Sequence, residues 1–268
     1  MEMKSSTTSR RLILLSVAGF DPSGGAGILL DLKVFDYFNF YGLAVITSLT
    51  VQNTQGVKSF QPLPPDILWQ QYQTLKEDFT FQGIKIGLIS SVDHLEPIAQ
   101  ILRENSHLPR VIDPVFRSSS GKEFFPQHYL PDYVKKILPL SSLITPNLQE
   151  AEFLSGMAIT TVKDLKKAAQ RISNLTRGAC LIKGGHLPGT PTDILVDKGK
   201  VYCFSHRKIS FSVHGTGCLL SSAILALLAQ KKPLFEAVSQ AINFTHQQIT
   251  AAVQLGEGQR LFILGKKD

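Results

Sequence analysis

The sequence predicts an α/β fold, a three-layer sandwich with a mostly parallel central sheet and helices on both faces. Short apolar runs alternate with helix-length amphipathic segments along the whole chain, which is the order expected of such a sheet. Several runs are continuously apolar rather than alternating, the mark of strands covered on both faces. No segment repeats at a fixed period, and no low-complexity tract divides the chain into halves. The chain has 268 residues, 43% of them hydrophobic, which suits one domain over residues 12–268, since single α/β domains run to about 200–250 residues. Residues 1–11 are polar and are expected to form a flexible N-terminal segment.

Taken in order, Leu12–Ala18 reads as a buried strand that runs into a glycine-rich turn, Gly19-Phe-Asp-Pro-Ser-Gly-Gly-Ala-Gly27. A helix follows from about Ile28 to Phe38, then a strand over Gly42–Leu49. Pro64-Pro65-Asp66 opens a helix to about Lys76, with prolines in the tolerated first turn. Ile84–Ile89 and Arg110–Ile112 read as core strands, with a helix from about Val92 to Arg103 between them. Ser142–Thr145 is a short strand, and a helix starts near Asn147. Val162–Leu175 is amphipathic, and Ala179–Lys183 is apolar again. Ile194–Val196 and Val201–Phe204 predict a hairpin turning at Lys198-Gly199. Gly215 to about Gln230 and Leu234 to about Gln254 read as two long helices.

The formal net charge is +7, but the basic residues are dispersed, with only short clusters such as Lys166-Lys167, Lys231-Lys232 and Lys266-Lys267. That pattern favours a solvated basic surface and secondarily a polyanionic small substrate, over nucleic acid or a membrane. Cys180, Cys203 and Cys218 have no metal-ligand spacing and make an odd number, which points to a reducing compartment. Leu12–Ala18 is too short for a signal or membrane segment. A cytoplasmic location is expected.

Such sheets bind ligands beyond the carboxyl ends of their strands, and the chemistry-bearing segments sit at those positions. His214-Gly-Thr-Gly-Cys218 precedes a helix whose first N–H groups and dipole make an anion site. The same position would lower the pKa of a thiol, so Cys218 is expected to give up a proton easily and to act as a base beside amides holding a phosphoryl group. A glycine-rich helix start with a structural cysteine is the plainer alternative. Asp31, one turn into the first helix, is a candidate ligand for an amino or hydroxyl group, or simply a first-turn carboxylate. Asn147 and Glu150 form either a capping box or an outer-shell site for a Mg²⁺ ion that keeps its waters. Asp113 ends an apolar strand and points off the rim, and Lys183 is a candidate phosphate ligand. His186 and His214 are read as structural.

Together, Ala18-Gly-x-Asp-Pro-Ser-Gly-Gly-Ala-Gly27 with Asp31-Leu-Lys33, Val51-Gln-Asn-Thr-Gln-Gly-Val57, Lys85-Ile-Gly-Leu88, Asp113-Pro-Val115, Thr145-Pro-Asn-Leu-x-Glu150, Lys183-Gly-Gly-His186 and His214-Gly-Thr-Gly-Cys218 closely resemble the hydroxymethylpyrimidine/phosphomethylpyrimidine kinases of the ribokinase superfamily. The resemblance spans about residues 12 to 255. It implies a ribokinase-like sandwich with a small β flap over the substrate, ATP as donor, Mg²⁺ as cofactor and a homodimer. It implies phosphorylation of 4-amino-5-hydroxymethyl-2-methylpyrimidine and then of its monophosphate, in thiamine synthesis or salvage. By position, Asp31 and Gln52 would hydrogen-bond the pyrimidine, with Gly19 and Leu88 lining its pocket. Asp113, Asn147 and Glu150 would serve the magnesium–nucleotide end, with Lys183 near the phosphates, and Gly215, Thr216, Gly217 and Cys218 would do the chemistry. Phe20, Leu88, Phe116 and Arg117 depart from the family pattern. Phe116 is expected to narrow the pocket and Arg117 to add a phosphate contact. The nearest competing reading is a pyridoxal kinase of the same branch, against which Gln52 speaks, since an amide pairs with both a ring nitrogen and an exocyclic amine. A catalytically silent pyrimidine sensor is the third.

Overall fold

The computed structural model describes residues 11–265 except Ser119, His186, Pro188, Gly189, Lys208 and Ser210. The N-terminal segment expected to be flexible thus lies outside the described residues except for Arg11, as do His186 and the Lys266-Lys267 cluster.

In chain order the elements are β1 (Ile13–Phe20), α1 (Gly27–Tyr37), β2 (Tyr41–Asn53), β3 (Gly56–Pro62), α2 (Pro65–Asp78), β4 (Phe81–Ile86), α3 (Leu95–Glu104) and β5 (Arg110–Ile112). There follow α4 (Leu130–Lys136), β6 (Leu143–Ile144), α5 (Leu148–Ser155), α6 (Val162–Thr176), β7 (Ala179–Ile182), β8 (Thr192–Asp197), β9 (Lys200–Ser205), α7 (Thr216–Ala229) and α8 (Leu234–Thr250). The described strands form one sheet in the order β3-β2-β1-β4-β5-β6-β7-β8-β9. Pairing is parallel from β2 through β7, whereas β3, β8 and β9 join antiparallel.

Continuous apolar strands are needed because both faces are covered. Leu15, Val17, Ile112, Ile144 and Ile182 pack with α2 to α6 on one side. Their alternates Leu14, Val111, Leu143 and Leu181 pack with α1, α7 and α8 on the other, as the two-residue period of a strand requires.

Three expectations needed revision. The helix read from Val92 begins as a 3₁₀ turn over Val92–His94 and becomes α-helical at Leu95. The second strand does not stop at Leu49 but continues to Asn53 and returns as β3 after a turn at Thr54-Gln55. That hairpin is the β flap. The third revision is α4, which the sequence reading did not find; it packs Tyr133 into the core.

Just before α3, His94 is fully buried and its Nε2 bonds the Leu63 carbonyl at 2.7 Å. Burial holds its pKa below the usual 6.5, so protonation opposes folding. The stability His94 contributes is present above pH 6.5 and is lost as pH falls below it. The urea midpoint should drop from pH 7 to pH 5, and less so in His94→Gln. Equal slopes for both proteins would refute this assignment.

Candidate active site

A cleft of about 910 Å³ opens beyond the carboxyl ends of β1, β4 and β5 and is walled by the flap, α5, α7 and α8. Its floor is set by two glycine-rich segments in backbone contact. Gly215 has φ +79° and caps α7, and a Cβ there would run into the Gly25 carbonyl oxygen. Only glycine satisfies both demands.

Asp21 organises the first segment. Its buried carboxylate accepts the Ser23 N–H at 2.9 Å and hydroxyl at 2.7 Å, and the Ala26 N–H at 2.9 Å. It also meets His214 Nε2 at 2.9 Å and accepts from the Gln52 amide on the flap. Burial pushes this carboxyl up, but the bonds from His214, Gln52 and Ser23 outweigh it and hold it at about 2. Asp21 therefore ties the first loop to the flap and to the loop before α7. His214 fits its expected structural role, though it lines the cleft. The Asp-Pro-Ser-Gly run was the signal for Asp21, since aspartate before such residues bonds the backbone of its own turn.

Gly19, Gln52 and Leu88 line the cleft as expected. Asp31 does not. It is fully buried behind the wall, where its carboxylate accepts Lys85 Nζ at 2.6 and 2.8 Å, Ser16 Oγ at 2.6 Å and Ser222 Oγ at 2.8 Å. With those positions filled, Asp31 has neither access to a pyrimidine nor capacity for one. Its partner Lys85, equally buried, was the overlooked residue. A lysine within the apolar run Ile84-Lys85-Ile86 signals a buried counter-charge.

The charge of Lys85 acts on the sulfur of Cys218, which also accepts the Gly27 N–H. Burial pushes the Cys218 thiol up to about 11, with Lys85 pulling it down and Asp31 and Asp113 pushing it further up. This corrects the expectation of an easily ionised thiol, because desolvation outweighs the favourable helix end.

Across the floor, Lys183 Nζ pairs with Asp113 Oδ1 at 3.0 Å, and a Cβ on Gly217 would lie 3.1 Å from that ammonium. Asn147 and Glu150 form the full capping box of α5: Asn147 N–H donates to Glu150 at 2.7 Å, and Glu150 N–H donates back at 2.9 Å. Both also line the cleft, so the cap does not displace them from the site. Burial raises Glu150 to about 8, with Lys183 opposing and Asp113 reinforcing. At the far end, Asp193 approaches His206 at 3.4 Å, and the His206 and His246 rings stand 4.4 Å apart. This group gave no sequence signal, because its members come from β8, the loop after β9, and α8. Phe116 narrows the cleft little. It is 5% exposed and packs edge-on against Tyr133 at 5.0 Å.

The arrangement joins a helix N-terminus, a lysine–aspartate pair, a buried glutamate and a thiol across one floor, which suits transfer of a phosphoryl group to a hydroxyl. Comparison with known proteins agrees. A family profile described as phosphomethylpyrimidine kinase matches residues 21–262. The hydroxymethylpyrimidine/phosphomethylpyrimidine kinase of Aquifex aeolicus is 41% identical, covering 93% of this chain and 99% of that protein. A phosphomethylpyrimidine kinase structure from Clostridium difficile superposes with a TM-score of 0.79 at 36% identity, over 88% of this chain and 99% of the other. An ADP complex of Bacillus subtilis pyridoxal kinase gives 0.86 at 31% identity, over 94% and 97%.

Proposed function

The chain belongs to the phosphomethylpyrimidine kinase family, and on that premise we propose that its cleft transfers the γ-phosphoryl group of ATP to the hydroxymethyl group of 4-amino-5-hydroxymethyl-2-methylpyrimidine and then to the resulting monophosphate, a step of thiamine synthesis. The observation that carries the reading is the Gly215–Cys218 helix start lying beside the Lys183–Asp113 pair on the cleft floor.

The N–H groups of the first turn of α7 have no intrahelical acceptors and would bind the transferring phosphoryl group, with Lys183 adding a point charge. Gln52, its amide oriented by Asp21, would pair with the aminopyrimidine, and Gly19 and Leu88 would flank the ring. The transition state of phosphoryl transfer is loose, so the acceptor hydroxyl loses its proton late. Cys218, in the thiolate form that the Lys85 charge favours, would receive that proton.

The residues fit a magnesium ion. Asp113 and the buried Glu150 are close enough to push one carboxyl upward, a repulsion that a divalent cation relieves. Among the described residues no group of three or more His, Cys, Asp or Glu closes a cage, which suits an ion that keeps its waters and the phosphates of its nucleotide. Glu150, Asn147 and Asp113 would hold it, chiefly through water, and it would supply neutralisation of phosphate charge. The far end of the cleft, with Ile242, Ile249 and His246 of α8, would take the nucleobase.

The proposal includes a homodimer, supported by Leu49 and Val51 standing exposed on the flap hairpin. It places the protein in the cytoplasm, where three free cysteines are at home. Among the described residues no helix is long and apolar enough to cross a membrane.

The likeness to pyridoxal kinase sustains a second reading within the same fold. An ADP-release assay with MgATP, offering the pyrimidine alcohol, its monophosphate and pyridoxal in parallel, separates them. Turnover of both pyrimidines is expected. Turnover of pyridoxal alone would overturn the substrate assignment and leave the fold and chemistry standing.

A further inference from the structure

Arg117 lies outside the chemistry just described. It sits on a hairpin that follows β5, paired with Glu123 in an antiparallel bridge and closed by Phe124 N–H donating to the Phe116 carbonyl at 2.9 Å. The base of the hairpin is anchored by the buried Phe116 ring against Tyr133. Its tip touches the flap, where Val57 N–H meets Ser120 Oγ at 3.4 Å. The hairpin therefore bridges the flap half of the cleft to α5, and Arg117 lines the cleft between them together with Ser118 and Ser120.

The charges around it are otherwise matched. Among the described residues four carboxyl groups line the cleft. Asp21 is engaged by His214, Asp113 by Lys183 and Asp193 by His206, while Glu150 accepts the Asn147 N–H at 2.7 Å. Lys183 and Arg117 are the lysine and arginine side chains lining the cleft among the described residues, and of these two Arg117 has no carboxylate partner there. Its guanidinium rests 5.6 Å over the Phe153 ring of α5. That contact is weak beside a charge-assisted bond to phosphate.

We propose that Arg117 is a phosphate ligand for the second acceptor, binding the phosphate already carried by the pyrimidine monophosphate. The alcohol presents only a neutral hydroxyl to the floor, and the nucleotide already has Lys183 and the α7 amides. The monophosphate brings a further anion into the space between ring and donor. Arg117 is the unmatched fork on that side, with the Ser118 and Ser120 hydroxyls beside it.

This inference rests on the pyrimidine kinase reading, and steady-state kinetics of Arg117→Ala and Arg117→Lys test it on both acceptors, with the KM for ATP measured alongside. In Arg117→Ala the ratio of kcat/KM for the monophosphate to that for the alcohol should fall roughly 10- to 100-fold, carried by KM. Arg117→Lys should restore part of it, keeping charge but losing the two-pronged geometry. An unchanged ratio overturns the proposal. So does an equal fall on both acceptors with a raised KM for ATP, which would give Arg117 to the nucleotide. Wild-type protein that turned over neither acceptor would instead refute the kinase reading.

Discussion

Replacing Cys218 with alanine is expected to lower kcat by about 10²–10⁴-fold, the scale of a positioned acid–base group, with much smaller changes in KM for either acceptor. The sulfur lies at the first turn of α7, beside the backbone N–H of Gly27 and within the field of Lys85. Because burial lifts its thiol to about 11, the free protein holds it protonated at neutral pH. Only the small thiolate fraction can then take the acceptor's proton, which moves late, as the acceptor oxygen bonds phosphorus. The pH profile carries the sign of this account. Turnover of the wild type should rise toward alkaline pH as the thiolate fraction grows, and Cys218→Ala should lose that rise. Cys218→Asp should regain part of the activity, since a carboxylate at this place can also take a proton. Near-wild-type turnover in the alanine variant would leave catalysis to the Gly215–Gly217 amides and the proposed magnesium ion.

The other large effect lies behind the cleft wall. Lys85 and Asp31 are both fully buried and joined at 2.6 Å. Removing one member of such a pair leaves the other charge uncompensated, at about 3–5 kcal/mol. For a chain of this length that is a fall in Tm of roughly 6–20 °C for Lys85→Met. Adding Asp31→Asn to Lys85→Met removes both charges and leaves an amide for the Ser16 and Ser222 hydroxyls, so most of the loss should return. Additive damage in the double variant, read by thermal unfolding, would show that the two do not act as a pair.

Much of the fold was legible because its signals are local. Continuous apolar runs marked the strands buried on both faces, and Lys198-Gly199 marked the β8–β9 hairpin. The flap strand β3 was missed because Lys58, Ser59, Gln61 and Pro62 surround its few apolar residues, so hydrophobicity hardly distinguishes it from a loop. Pairing to β2 makes it a strand. The short α4 is similarly fixed by Tyr133 reaching the core rather than by its own pattern.

In the site the division is sharper. The sequence by itself determined the glycine-rich segments, the capping box of α5 and the placement of Cys218 at a helix start. Each depends on residues within a few positions of one another and on backbone geometry that particular residue types permit. Only the tertiary structure decided which of two carboxylates ten residues apart lines the cleft. Asp21 sits in the turn that opens on the cleft, whereas Asp31 lies on the inner face of α1, where docking against β4 and α7 delivers Lys85 and Ser222. Only the tertiary structure set the state of the thiol. Desolvation and charge are sums over neighbours from distant parts of the chain, here Lys85, Asp31 and Asp113, and no local spacing contains that sum.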